Sequence, residues 1–351
     1  MKIRSVRTQK RKTEETPQKT SGGLIIAGLL CTAVIAIVAI SMVFGNSAKE
    51  VKKEIEVTAT ETWQEGIISY KGKYYKYNNR IDTYLLMGID KAGPAESSED
   101  YTAGGQSDAI FLLVLDKEAE EFSAISIHRN TMTEIEQYGK DGTPLGTHVT
   151  QLCLQHAYGD GKRLSCRRTQ DAVSKLFDNL PISGYLSLYM DGIPVLNDAV
   201  GGVEVECLQD LSYPSAGVEL HQGETVTLNG QEAYYYVRGR DTNTFDSATQ
   251  RLRREEQYVA QFMKTVRSLP DKKSRLNTMY TDASDYIVTN ISFADLLTDF
   301  SNYDLTSDHI YSVPGETIMG DEFEEFYVDE EGLYDLIIKV FYNEVPAEAQ
   351  E

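Results

Sequence analysis

The chain has 351 residues, with 34 lysines and arginines against 54 aspartates and glutamates, a formal net charge of −20. Hydrophobic residues make up 41% and charged residues 25%, which excludes a disordered chain and is enough to fill a sizeable core. So acidic a protein is repelled by nucleic acid and by anionic lipid, so an anionic ligand must be met by a local arginine cluster, a cation, or both.

In chain order, the first 23 residues hold seven basic side chains against Glu14 and Glu15 and read as a cytoplasmic tail. Leu24 to Phe44 then runs for 21 residues without a charge. At about 1.5 Å per residue it is long enough to span a bilayer as a helix, and it exceeds the apolar region of a signal peptide. The basic flank predicts a single-pass protein of the cell membrane, with the N-terminus cytoplasmic and the remainder extracellular. Residues 45–80 read as a stalk, with a helical stretch at Ala48–Ile55 and a short hairpin at Tyr70–Tyr77.

The pattern changes at Ile81. Near-continuous apolar runs predict strands covered on both faces at Thr83–Asp90, Ala109–Leu115 and Phe122–Ile127. Further strands are predicted at Gly184–Tyr189, Val203–Glu206 and Ala233–Val237. Helices are predicted at Thr150–Gly159, Cys166–Phe177, Ile193–Val200, Arg251–Arg267, Phe293–Phe300 and Glu331–Phe341. This alternation predicts one α/β domain over residues 81–345, with helices on both sides of a mixed central sheet and one transmembrane helix before it. Residues 346–351 read as a disordered tail.

The residues that can do chemistry fall at the ends of these elements. Asp90 closes the first strand, and Asp108 opens the second after a loop containing Gly104 and Gly105. Two carboxylates at adjacent strand edges suit a hard cation such as Mg²⁺, although loop-capping aspartates are common. Arg129 follows the third strand. Arg238 and Arg240 alternate about Gly239 and read as the end of a strand with both guanidiniums on one face. Arg251, Arg253 and Arg254 open a helix against its dipole, which a phosphate at the helix N-terminus would explain. A solvated basic face paired with Glu255 and Glu256 is the other reading. Arginine forks match phosphate oxygens, and open α/β sheets take ligands at strand ends. The set therefore predicts a phosphate or pyrophosphate clamp. Arg163, Arg167 and Arg168 read as a solvated helix face.

Of the four cysteines, Cys31 lies in the apolar span. Cys153 and Cys166 read as a disulfide outside the membrane, with Cys207 left over; a zinc site using His156 is the rival, without a Cys-x-x-Cys to support it. No Gly-x-Ser-x-Gly, His-Glu-x-x-His or Walker pattern supports nucleophilic hydrolysis, and His148 and His156 are the candidate histidine bases.

Several stretches, in order and spacing, resemble the LytR-CpsA-Psr family of cell-wall polymer ligases between Ile81 and Tyr342. They are Leu85–Asp90, Gln106–Asp108, His128–Thr131, Ala157–Gly159, Asp191–Gly192, Val200–Val203, Leu228–Ala233, Val237–Arg240 and Arg251–Arg254. The resemblance implies a three-layer α-β-α fold and a phosphotransferase of Gram-positive wall biogenesis. Its substrate would be a glycopolymer such as a teichoic acid or capsule, carried on undecaprenyl pyrophosphate, with an apolar cavity for the lipid. The polymer would pass to a peptidoglycan hydroxyl, releasing undecaprenyl phosphate. Asp90 and Asp108 match metal-associated aspartates, for Mg²⁺ or Mn²⁺. Arg129, Arg238, Arg240 and Arg251 match pyrophosphate-contacting arginines, and Arg254 matches a further basic position. Asp90, Asp108, Arg129, Arg238 and Arg240 make up the implied catalytic set. The chain departs from the family pattern at Gln106, His128, Asn130, Gln151 and Glu255, where Arg, Pro, Asp, Lys and Gln are usual. Other functional readings are a non-catalytic binder or scaffold for lipid-linked wall polymers, a pyrophosphatase, and a membrane-bound transcriptional attenuator. The predicted topology disfavours the last, since only the short basic tail would face DNA.

Overall fold

The apolar runs after Ile81 form the centre of a mixed sheet in the computed structural model, which describes residues 67–241, 243–270, 272–292 and 309–346. A hairpin of β1 (Ile67–Tyr70) and β2 (Lys73–Tyr77) comes first. It is followed by β3 (Ile81–Ile89), β4 (Ser107–Asp116) and β5 (Glu121–Ile127), and then by a second hairpin, β6 (Met132–Tyr138) with β7 (Pro144–Gln151). Next come α1 (Arg163–Leu176), β8 (Gly184–Tyr189) and α2 (Gly192–Ala199). Four short strands lead on: β9 (Val203–Glu206), β10 (Leu211–Tyr213), β11 (Val218–Leu220) and β12 (Thr225–Leu228). Three helices, α3 (Gly230–Arg238), α4 (Ser247–Ser268) and α5 (Lys272–Ala283), precede β13 (Ile287–Thr289) and β14 (Ile310–Ser312). The hairpin β15 (Gly315–Met319) and β16 (Glu324–Val328), then α6 (Glu330–Phe341) and β17 (Tyr342–Val345), complete the described elements.

The central sheet has the order β13-β8-β3-β4-β5-β14. β3–β8 and β5–β14 are parallel, and the other neighbours are antiparallel. Successive strand residues point to opposite faces, so each apolar run feeds two cores. Leu86, Phe111 and Leu113 pack with Leu196, Tyr236, Tyr258, Phe262 and Met279 from α2 to α5. Leu85, Met87, Ile110 and Leu112 pack with Val173 and Phe177 beside α1 and with Leu333, Ile337 and Phe341 of α6. Each such side chain contributes about 1.5–3 kcal/mol by burial, and the two cores make the three layers.

Three local expectations are corrected. Residues Ala233–Val237 are helical, not a strand. Asn229 accepts from the Glu232 amide while the Glu232 carboxylate accepts from the Asn229 amide, a capping box that starts α3. That start signal overrides the strand propensity of Tyr-Tyr-Tyr-Val. The helix predicted at Thr150–Gly159 is instead the end of β7 and a single 3₁₀ turn, Leu152–Gln155, because Val149 and Thr150 continue the ladder to β6. The stalk predicted over 45–80 gives up β1 and β2 to the folded domain, since β2 pairs with β17. The predicted span Leu24–Phe44 and the predicted helices Ala48–Ile55 and Phe293–Phe300 lie outside the described residues, as does all of the predicted tail except Pro346. Among the described residues, no helix is long and apolar enough to cross a membrane.

Candidate functional site

One edge of the central sheet carries the end of β3, the start of β4 and the end of β5. Asp90, Asp108 and Arg129 therefore emerge side by side, as their sequence positions predict. The Asp90 amide donates to the Gln106 carbonyl at 2.8 Å and ties the first two segments together. Asp108 is buried, with Oδ1 at 2.9 Å from Arg129 Nη2 and Oδ2 at 3.2 Å from Arg251 Nη1. Arg251 Nη2 also donates to the Asp108 carbonyl at 3.2 Å. Arg129 Nη2 lies 3.0 Å from Cys153 Sγ and donates to Gln106 Oε1 as well.

Helix α4 supplies the other wall. Its buried stripe Tyr258, Val259, Phe262, Met263 and Val266 continues back by threes and fours to Glu255, Arg254 and Arg251. The polar end of the stripe therefore faces the sheet edge. Arg251 Nε lies 3.3 Å from Glu255 Oε1, one turn along, and both residues are 1% exposed. Arg253, between them, faces solvent.

Arg254 is a correction. Its two Nη groups donate to the carbonyls of Tyr236 and Gly239, so it braces the turn after α3 rather than facing a ligand. A Cβ at Gly239 would come within 2.6 Å of Tyr213 Oη and 2.8 Å of the Tyr235 carbonyl, so only glycine fits between Arg238 and Arg240. The braced turn separates these two arginines. Arg240 joins the Asp108 cluster, where Asp108, Arg129, Arg251 and His128 all feel its charge or act on it. Arg238, at the end of α3, lies over the Tyr234 ring at 5.3 Å, and that ring also feels Asp191 and Asp90. The shared strand face expected for Arg238 and Arg240 is therefore not formed.

The disulfide is the second correction. Cys153, Cys166 and Cys207 are all free. The Cys153 thiol faces Arg129 and Gln106, whereas Cys166 Sγ lies 3.7 Å from His156 Nε2 and 3.5 Å from Ser187 Oγ. The two thiols thus face different partners. Burial pushes Cys153 up to about 11 despite Arg129, so it is a neutral thiol.

Charge is concentrated here. Burial alone would raise the Asp108 carboxyl, but Arg129, Arg251 and Arg240 outweigh it and hold the group below the usual carboxylate range. Arg129 loses to burial and gains more from Asp108, Cys153 and Asp90, so it stays charged. Burial, then the neighbouring Arg251 and Arg129, bring Arg240 down to about 10. Burial, then Asp108 and Glu256, push Glu255 up to about 8. At neutral pH the buried acids of the cluster are an ionised Asp108 and a neutral Glu255, set against the guanidiniums of Arg129, Arg240 and Arg251, while Asp90 acts on Arg129 and Glu324 on Arg240. Several nitrogens are buried without a hydrogen bond: Nε of Arg129, Arg251 and Arg254, and both Nε and Nη1 of Arg240. Buried donors ordinarily have partners, so this surplus fits an anion.

The residues also fit a cation that arrives with an anion. Asp108 Oδ1, although ion-paired, makes no hydrogen bond and retains a lone pair. Among the described residues no group of three His, Cys, Asp or Glu side chains could hold a metal, so the protein would supply one or two carboxylates and a phosphate the rest. That is the usual Mg²⁺ arrangement.

Sequence reasoning missed the inward role of Glu255, the Cys153–Arg129 contact and Glu324. Glu324 accepts from the Asp246 amide at 2.7 Å and acts on Arg240. Gln151 Nε2 donates to the Glu324 carbonyl at 2.8 Å, tying the two hairpins together. His128 stacks on Phe326 at 4.7 Å, and burial followed by the arginines holds it neutral, at about 3.

The LytR_cpsA_psr family model matches residues 39–336. The chain is 34% identical over 156 residues to the polyisoprenyl-teichoic acid–peptidoglycan teichoic acid transferase TagU of Halalkalibacterium halodurans, a match covering 44% of each protein, so the chain spans less than half that relative's length. It is 26% identical over 274 residues to the TagU of Enterococcus faecalis, covering 78% of this chain and 80% of that one. The fold superposes on the crystal structure of B. subtilis TagV with a TM-score of 0.57 at 22% identity, over 74% of this chain and 96% of that chain.

Proposed function

The chain belongs to the LytR-CpsA-Psr family, and on that premise we propose that it transfers a teichoic-acid-like glycopolymer from a polyprenyl diphosphate carrier to a hydroxyl of peptidoglycan. The observation that carries this reading is the convergence of Arg129, Arg240 and Arg251 on Asp108, with buried guanidinium nitrogens of Arg129 and Arg240 making no hydrogen bond. The substrate class follows from the two TagU relatives, whose names state that transfer. Leu24–Phe44 would anchor the chain in the cell membrane with the domain outside, where carrier and acceptor meet.

Phosphoryl transfer depends on positioning and charge stabilisation more than on covalent chemistry. Arg129 and Arg240 would take the diphosphate oxygens, and their charge would stabilise the leaving polyprenyl phosphate. Arg251 holds Asp108 in place, and Arg254 fixes the turn that carries Arg240. A Mg²⁺ held by Asp108 and Asp90 would supply further neutralisation of phosphate charge. Asp108, with its lowered pKa, is a weak base.

Incubation of the purified chain with a synthetic polyprenyl-diphosphate-linked teichoic acid, peptidoglycan and Mg²⁺ tests this reading. Release of polyprenyl phosphate together with polymer-bearing peptidoglycan is expected. Equal release with water as the only acceptor would make the protein a pyrophosphatase. Tight binding of the carrier without turnover would make it a scaffold.

A further inference from the structure

Glu255 is a buried acid without an established part in the reaction. It sits one helical turn from Arg251, with Oε1 at 3.3 Å from Arg251 Nε, and neither atom completes a hydrogen bond. Arg251 in turn reaches Asp108 with Nη1. One guanidinium therefore spans two acids, both shielded from water. An ionised Glu255 would offset the charge of Arg251, and a neutral Glu255 would leave that charge to act on whatever lies beside Asp108.

We propose that Glu255 is a positioning residue that sets, through Arg251, how strongly the site holds a diphosphate, and that the diphosphate binds together with a proton on Glu255. This rests on the reading of the cluster as a diphosphate site. Burial, Asp108 and Glu256 favour the neutral acid, and Arg251 and Arg254 oppose them, leaving Glu255 at about 8. The surrounding groups have their midpoints elsewhere. His128 is held near 3 and Cys153 near 11, Arg240 and Arg254 come down only to about 10, Asp108 is lowered, and Arg129 is raised. Within this cluster, Glu255 alone changes charge between about pH 7 and pH 9. The sign follows from the raised pKa. Below about pH 8 the acid is neutral and the full charge of Arg251 is available. Above it the carboxylate forms and competes with the incoming anion. A bound diphosphate raises the pKa of Glu255 further, so binding takes up a proton.

The test is calorimetric titration of the full chain in detergent with a geranyl methyl diphosphate diester, whose own charge is constant over this range. Wild-type affinity is expected to fall about tenfold from pH 7 to pH 9. Glu255→Gln, a mimic of the neutral acid, should keep the neutral-pH affinity throughout. Matching pH profiles for the two proteins would overturn the proposal. Should the variant fail to fold, wild type alone decides the matter. Titration near pH 8 in two buffers of different ionisation enthalpy should reveal about half a proton taken up per ligand, and no uptake would overturn it. Absence of binding by a folded wild type at any pH is a different result, which removes the diphosphate reading and this proposal with it.

Discussion

An Arg240→Ala variant is expected to lose about 10²- to 10³-fold in polymer transfer while unfolding no more easily than wild type. The two halves of that expectation have one cause. Arg240 has two buried nitrogens without partners, and burial together with Arg251 and Arg129 disfavours its charge. The folded protein alone therefore gains little from it, and removing it relieves repulsion between like charges. A preorganised donor aimed at developing charge in a water-poor site is typically worth about 10²- to 10³-fold in rate. Initial rates of polyprenyl phosphate release and a thermal melt on the same preparation would check both halves. A variant that melts earlier yet transfers normally would make Arg240 a structural cation and remove it from the site.

Asp108→Ala should behave in the opposite way, with stability failing first. Asp108 is the shared counter-ion of Arg129 and Arg251, and all three are buried. Removing one partner of a buried pair leaves uncompensated charge, at a cost of about 3–5 kcal/mol. Here two guanidiniums lose their partner at once. Against a total stability of about 5–15 kcal/mol, that is a large fraction. The midpoint of urea unfolding would measure it, and a shift worth less than about 1 kcal/mol would show that the cluster does not depend on Asp108. Loss of activity in this variant would not by itself separate chemistry from folding, whereas Arg240→Ala would.

The contrast between these residues explains what could be read from the sequence. The central strands were legible because Leu85–Met87 and Ile110–Leu113 are apolar on both faces, which few other structures allow. The meeting of Asp108 with Arg129 was legible because strand ends in such sheets share an edge, whereas Arg240 arrives from the turn after α3 and Arg251 from α4. The inward turn of Arg254 and Glu255 could also have been found. Each sits four residues before a buried residue of α4, Arg254 before Tyr258 and Glu255 before Val259, whereas Arg253 lies off that stripe. α3 is hidden by aromatic residues that favour strand, and its one sequence signal is the Asn229–Glu232 box at its start. The partnership of Cys153 with Arg129 had no sequence signal. It depends on the 3₁₀ turn after β7 packing back against the end of β5, where the Cys153 amide donates to the Arg129 carbonyl at 3.0 Å.

The most direct measurement is a crystal structure of the protein with geranyl diphosphate and Mg²⁺. Diphosphate density is expected within hydrogen-bonding distance of Arg129 and Arg240, with the cation between a phosphate oxygen and Asp108. Diphosphate bound elsewhere, with Arg240 still without a partner beside Asp108, would contradict the account.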